Sequence, residues 1–230
     1  MIIFNFGIPN SGTDWSQAVF KKIWESQNHT FRVEEPACIE ELNQIIGTMN
    51  VHERMILKFD LLTEEAIQAA QQGAVRPFYH YRDPRDVVST SMQLHQTSFS
   101  DAVEATVSAY QEIHHALPLP GIMVIPYEHI ATHSEALIFQ MATQLGVLLK
   151  LDVVARIAEE VRELSAQPAS SESDAPKVGQ TVRIDQEHTA DTSVVQPLQI
   201  GKWRDELSQS EQAMVNRFFK PLVTQFGYPE

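Results

Sequence analysis

"IIFNFGIPNSGTDWSQAVF", residues 2–20, passes from an apolar run through Gly, Pro, Asn, Ser, Gly and Thr into an amphipathic stretch. That order predicts a buried strand over Ile2–Phe6, a tight loop, and a helix over Asp14–Ser26 with Trp15, Ala18, Val19 and Ile23 on one side. A loop of this kind at a helix N-terminus aims backbone N–H groups at an anion, an ordinary strand-to-helix turn being the alternative. A triphosphate loop needs Gly, four residues, Gly, then Lys and Ser or Thr. Gly7 and Gly12 have that spacing, but Thr13 and Asp14 stand where the Lys and the hydroxyl belong. An Asp there repels a triphosphate, which disfavours a magnesium-dependent P-loop nucleotide kinase.

Beyond this stretch, short β-rich runs alternate with longer helical patterns. Met55–Phe59, Val75–Tyr81 and Ile122–Pro126 read as further strands, and Phe31–Val33 as a short edge strand. Thr63 can cap a helix over Glu64–Gln72, and helical periodicity covers Asp86–His95, Ser100–Leu117, Ser134–Leu145 and Asp152–Leu164. Strands separated by helices need crossover connections. The expected fold is therefore α/β in three layers, a central parallel sheet flanked by helices on both faces. From 165 to 197 the composition turns to Ser, Ala and Pro ("SAQPASSESDAPKVGQ" opens it), which predicts a mobile loop. Order returns at residues 200–228, where Ser208 and Glu211 form a capping box that starts a final amphipathic helix.

The length of 230 residues suits one domain, taken as residues 1–230, and hydrophobic and charged shares of 43% and 20% are those of an ordinary globular chain. A net charge of −13 argues against nucleic-acid partners and anionic membrane surfaces, though not against one local cationic pocket. Cys38 is the only cysteine, so neither an internal disulfide nor a cysteine-clustered metal site is expected. With no signal-like N-terminus and no apolar stretch near the ~18 residues of a transmembrane helix, the expected location is cytoplasmic.

Four segments resemble, in order, the motifs of sulfotransferases that use 3′-phosphoadenosine 5′-phosphosulfate (PAPS). "PNSGTDW", residues 9–15, is similar to the 5′-phosphosulfate loop, usually Pro-Lys/Arg-Ser-Gly-Thr-Thr-Trp. "YRDPRDVVSTSM", residues 81–92, resembles the 3′-phosphate motif. "IGKWRDELSQSEQ", residues 200–212, resembles the Gly-x-Trp segment near the C-terminus, and "ILKFDLL", residues 56–62, sits where the family has Lys-Thr-His-Leu. The implied fold is that of the P-loop nucleoside-triphosphate hydrolases. The implied activity is transfer of a sulfuryl group from PAPS to a hydroxyl or amine of a small-molecule or glycan acceptor, with adenosine 3′,5′-bisphosphate (PAP) as product and no metal. The oligomeric state stays open, a homodimer included.

The resemblance also implies roles. Pro9, Asn10, Ser11, Gly12, Thr13 and Asp14 would form the phosphosulfate loop, with Ser11 and Thr13 supplying hydroxyls beside the backbone amides. Trp15 would stack on adenine, the alternative being a core Trp. Arg82 directly follows a strand, at the sheet edge where open α/β folds bind ligands. It would pair bidentately with the 3′-phosphate, and Thr90 would supply the motif hydroxyl. The alternative for residues 82–86 is a salt-bridged helix start with Pro84 near its first position. Gly201, Lys202 and Trp203, with Arg204, would complete the 3′-phosphate side, the alternative for Trp203 being a packing anchor. Lys58 would place positive charge on the leaving phosphate, Asn10 would donate to the bridging oxygen, and Asp60, where the family has its His, would be the base or a plain loop carboxylate. His80 and His95 are reserve bases. Residues 93–110 and 165–197 would build the acceptor pocket.

Asn10 and Asp14 depart from the pattern and leave the loop about two units of positive charge short, which could remove several kcal/mol of phosphate binding. A non-catalytic nucleotide-binding or scaffold protein with the same fold is therefore the second reading.

Overall fold

The computed structural model describes residues 1–50, 52–60, 62–166 and 199–229. Five parallel strands form one sheet in the order β2-β3-β1-β4-β5. They are β1 (Ile2–Gly7), β2 (Arg32–Glu34), β3 (Met55–Phe59), β4 (Val75–Tyr81) and β5 (Met123–Pro126). Every residue of central β1 is buried, as its run of apolar residues, interrupted only by Asn5, requires of a strand covered on both faces. Its register against β4 runs from Ile2↔Val75 to Gly7↔His80.

The twofold alternation of strand side chains divides the core. Ile3, Ile56, Phe78 and Ile125 pack against α1 (Thr13–Ser26), α7 (Tyr127–Thr132), α8 (Ser134–Gln144) and α9 (Leu151–Ala166). Ile2, Phe4, Phe6, Leu57, Phe59 and Tyr79 face the opposite layer of α2 (Ile39–Thr48), α3 (Glu64–Gln71), α5 (Phe99–Gln111) and α6 (Ile113–Ala116). A third cluster joins Val88 of α4 (Pro84–His95) to α10 (Trp203–Glu206), α11 (Gln209–Phe218) and α12 (Lys220–Phe226) through Trp203, Leu207, Val215, Phe219 and Val223.

The helix signals act as read. Thr63 Oγ1 accepts from the Ala66 N–H at 3.3 Å, and Ser208 and Glu211 form the capping box of α11. Pro221, in the first turn of α12, splits the C-terminal helix, because its ring cannot continue the preceding hydrogen-bond ladder. The periodicity over 100–117 becomes two helices, with Glu112 holding helical dihedrals at the joint. Helix α2 went unread because Cys38 at its N-cap makes no side-chain cap, although Glu40 and Glu41 place acidic charge in its first turn. The C-terminal end of α9 reaches into the 165–197 stretch as far as Ala166, and residues 167–197 of that expected mobile loop lie outside the described residues. Among the described residues no helix is long and apolar enough to cross a membrane.

Candidate functional site

Between β1 and β4 the strand order reverses direction, and the loops that follow these two strands meet at the carboxyl edge of the sheet. The close approach starts at Gly7. A Cβ there would lie 2.2 Å from the His80 carbonyl oxygen and 2.6 Å from its nitrogen, so no side chain fits. The loop then turns through two left-handed residues, Asn10 (φ 61°) and Gly12 (φ 99°). Asn tolerates this region better than most residues, whereas at Gly12 a Cβ would also meet Ile130 Cδ1 at 2.4 Å.

The turn leads into α1, whose first intrahelical bond runs from Ser16 N–H to the Gly12 carbonyl (3.1 Å). The N–H groups of Gly12, Thr13, Asp14 and Trp15 precede it and have no intrahelical acceptor. Asn5 braces this terminus from inside the sheet: its Nδ2 donates to the Thr13 carbonyl at 2.8 Å, and its Oδ1 accepts from Ser16 Oγ at 2.7 Å. Asn5 and Ser16 were not singled out in the sequence, although a polar residue inside an apolar strand was a visible signal. Both the Ser11 hydroxyl and the Ser11 N–H donate to the Ile8 carbonyl, so this residue's donors are spent inside the loop. Asn10 Nδ2 is a buried donor with no partner among the described residues.

From β4, Arg82 reaches the same loop. Its guanidinium is 2% exposed and donates to the Asn10 carbonyl (3.1 Å), Thr90 Oγ1 (3.1 Å) and the Gln199 carbonyl (2.5 Å), while lying 4.0 Å above the Tyr127 ring. All three acceptors are neutral, and Nε has no partner among the described residues. Arg82 and the loop are thus brought together as one feature, a buried cation beside unpaired helix amides, although 72 residues separate Arg82 from Asn10.

The neighbouring residues do build a salt-bridged helix start, and the two readings of residues 82–86 coexist. Asp83 caps α4, with Pro84 in its first turn, and pairs with Arg85 through two parallel bonds (Nε–Oδ1 2.9 Å, Nη2–Oδ2 2.6 Å). Arg85 also holds Asn216 and the Pro229 carbonyl, so it ties down the C-terminus instead of facing the loop. Asp86 accepts from the N–H groups of Gly201 (2.7 Å) and Trp203 (3.1 Å), docking residues 199–203 beside Arg82. Burial raises its pKa, with those two hydrogen bonds and Arg82 pulling it back down and Asp83 adding to the rise.

Trp203 is 3% exposed and lies between the guanidinium groups of Arg85 and Arg204, each 4.4 Å from its ring. It is a packing anchor. Trp15 is 4% exposed and packs among the buried residues on the α1 side of the sheet. Lys202 pairs with Gln93 (3.2 Å) and Glu206 (3.5 Å).

On the other side of the loop, Lys58 of β3 forms an ion pair with Asp14 and a second, at 3.3 Å, with Glu35. Glu35 is itself fixed by Gln17 Nε2 at 2.6 Å. Burial pulls the ammonium pKa down, but the two carboxylates outweigh it and hold it above its ordinary value. Asp14 therefore does not simply weaken the loop. It neutralises the cation expected to serve it, and Glu35, which no motif announced, completes the trio. Asp60 lies at the edge of this group. Asp60 is an exposed residue whose carboxyl is only partly desolvated; that desolvation raises its pKa, Lys58 opposes the rise, and Asp14 and Glu35 add to it.

Asp60 also lines a cavity of about 290 Å³ on the α5 side of the sheet, together with Phe6, Pro9, Tyr79, Ala109 and Glu112. One residue thus borders both the phosphate-loop group and an apolar chamber. A larger depression, about 470 Å³, lies beside β5 and carries no titratable side chain. The reserve bases are elsewhere. His95 ends α4 on the surface. His80 is fully buried, neither ring nitrogen has a partner among the described residues, and burial lowers its pKa to about 3, so it stays neutral.

No family model matches the chain, and no curated protein matches its sequence. Among solved structures, the chain is similar to mouse sulfotransferase SULT7A1 complexed with PAP, with TM-score 0.66 and 14% identity over 97% of this chain and 84% of that one. It is also similar to retinol dehydratase in complex with androsterone and inactive cofactor PAP (TM-score 0.62, 17% identity, 96% of this chain and 80% of that one). A second retinol dehydratase structure, with retinol and PAP, gives TM-score 0.61 and 17% identity over 96% and 81%. The chain therefore shares the fold of these sulfotransferase structures, an α/β architecture with a central five-stranded parallel sheet.

Proposed function

We propose that this chain is a PAPS-dependent sulfotransferase acting on a hydroxyl of a small molecule. The observation that carries the reading is Asp60, a carboxylate with a raised pKa that borders both the loop after β1 and the adjoining cavity. The residues fit the nucleotide: a buried Arg82 bonded only to neutral acceptors, an unpartnered Asn10 Nδ2, and four amides at the start of α1.

PAPS supplies the sulfuryl group and leaves as PAP. The α1 amides would hold the 5′-phosphate, helped by a helix dipole worth about 0.3–1 kcal/mol per charge at exposed sites. Arg82, with Thr90 beside it, would hold the 3′-phosphate. Asp60 would take the acceptor hydroxyl proton as that oxygen forms its bond to sulfur and the bond from sulfur to the 5′-phosphate oxygen breaks. Lys58 and Asn10 would meet the charge left on that oxygen. Because the base form of Asp60 is the carboxylate, turnover should fall as pH drops through its pKa, which is raised from that of a free aspartate.

Incubation with PAPS and a panel of phenols, alcohols and amines, with sulfonated product detected by mass spectrometry, tests the activity. Asp60→Asn should abolish transfer and leave PAP affinity, measured by calorimetry, unchanged. Full turnover by Asp60→Asn moves the base elsewhere, and absence of PAP binding removes the reading.

The second reading, a nucleotide-binding protein that does not turn over, is favoured by one observation. Lys58 is already paired with two carboxylates. PAP binding without transfer to any acceptor would select it.

A further inference from the structure

The cavity beside Asp60 has a lopsided chemistry. Its walls are mostly apolar, with Phe6 and Tyr79 edge-to-face at 5.4 Å between ring centroids. Its lining holds two carboxylates, Asp60 and Glu112, and among the described residues no Lys, Arg or His. The carboxylates belong to different surroundings. Asp60 interacts with Lys58, Asp14 and Glu35 on the loop side. Glu112, at the joint between α5 and α6, accepts among the described residues a long bond from the Leu62 N–H (3.4 Å) and stands near Tyr79, whose phenol proton burial and Glu112 both help to retain. The Tyr79 side chain is 3% exposed and its hydroxyl has no partner among the described residues.

An apolar molecule filling this space would strip water from Glu112 and return nothing for it, and a neutral hydroxyl would return one hydrogen bond without charge. An anionic molecule would add repulsion. A cation would pair with the carboxylate, and an ammonium would also gain from the aromatic walls. A volume of about 290 Å³ lies at the small end for ligand sites and suits a single-ring molecule, whereas a sugar would find too few polar partners.

Resting on the sulfuryl-transfer reading above, we infer that the acceptor is a small, apolar, single-ring molecule carrying a protonated amine, with the ammonium held by Glu112 beside the Tyr79 hydroxyl and a separate hydroxyl presented to Asp60.

The test compares three phenols of nearly the same shape, tyramine, 4-ethylphenol and 3-(4-hydroxyphenyl)propionate, by calorimetry on the unmodified protein with and without PAP. Tyramine should bind about tenfold or more tighter than 4-ethylphenol, and the propionate weakest, as a charge-assisted pair requires. Glu112→Gln should remove the tyramine advantage and leave 4-ethylphenol affinity within about twofold. Equal or reversed ranking, no tyramine binding at ~5 mM, or an advantage that survives Glu112→Gln overturns the inference. The congener series needs no variant, so misfolding of Glu112→Gln cannot hide the answer. PAP binding in the same cell separates the two ideas. Amine preference without PAP binding sinks sulfuryl transfer and keeps the pocket assignment, whereas PAP binding without amine preference sinks the pocket assignment alone.

Discussion

Asp14→Asn is the substitution on which the phosphate site is most exposed to test. In the native chain Lys58 (side chain 19% exposed) faces Asp14 (45%) and Glu35 (47%), a trio of net charge −1 next to the α1 terminus. Asparagine keeps the shape and brings the trio to zero. Asp14 lies in the first helical turn, so its carboxylate and a phosphate at the terminus would be separated by about 6 Å, one turn of helix. At that distance an effective dielectric of about 40, between surface-pair and bulk-water values, gives ~1.4 kcal/mol of relieved repulsion per phosphate charge. PAP should therefore bind about tenfold more tightly to the variant. Stability should move the other way, because a half-exposed ion pair and an acidic residue in a first turn together contribute ~1 kcal/mol. The melting temperature should fall about 2–4 °C. The assay is PAP calorimetry at low and high salt, with Glu35→Gln as a control that removes the same charge without touching the helix terminus. Its gain should be smaller, and both gains should shrink as salt screens the half-exposed charges. A lower melting temperature with unchanged PAP affinity at low salt would refute the reasoning, since the phosphate then does not sit at this terminus.

Three further outcomes are expected. Arg82→Lys keeps the charge but loses the planar fork that meets Asn10, Thr90 and Gln199, and PAP affinity should drop by ~2 kcal/mol, about thirtyfold; unchanged affinity would place the 3′-phosphate elsewhere. His80, held neutral with a pKa of about 3, should make the fold less stable as pH falls below ~6.5, because the unfolded chain takes up a proton that the native state refuses, with a slope of at most ~1.4 kcal/mol per pH unit. Urea midpoints at pH 7 and pH 4.5 measure that loss, and His80→Leu should reduce it; an equal loss in the variant would show that other groups cause it. Gly7→Ala drives a Cβ into the backbone of His80 and should cost ~3 kcal/mol, seen as a melting temperature lower by about 6–12 °C, whereas a shift of a degree or two would mean that the two strands separate easily there.

Much of the architecture was legible because it rests on local periodicity. The runs at 55–59 and 75–81 are strands with those limits, and the apolar run at 2–6 gains only Gly7. The capping residues Thr63 and Ser208 act through backbone groups three residues away. What escaped had a weaker local signature: α2 has acidic residues in its first turn but no side-chain cap, and the Glu112 joint keeps helical dihedrals.

For the site, the chain by itself determined the chemical types and their places on the sheet edge: two glycines with the spacing of a phosphate loop, an Arg directly after a strand, a Lys and an Asp at the end of another. Only the tertiary structure decided how those charges are shared. Lys58 is paired with Asp14 and Glu35, Asp60 joins the loop to a cavity, Arg82 meets Asn10 across 72 positions, and both Trp15 and Trp203 are buried in the core. The reason is physical. Backbone propensity and capping act over a few residues, so a string of letters encodes them, whereas the pairing of a charge depends on which carboxylates parallel crossovers bring within a few ångströms, and that distance exists only in the folded chain.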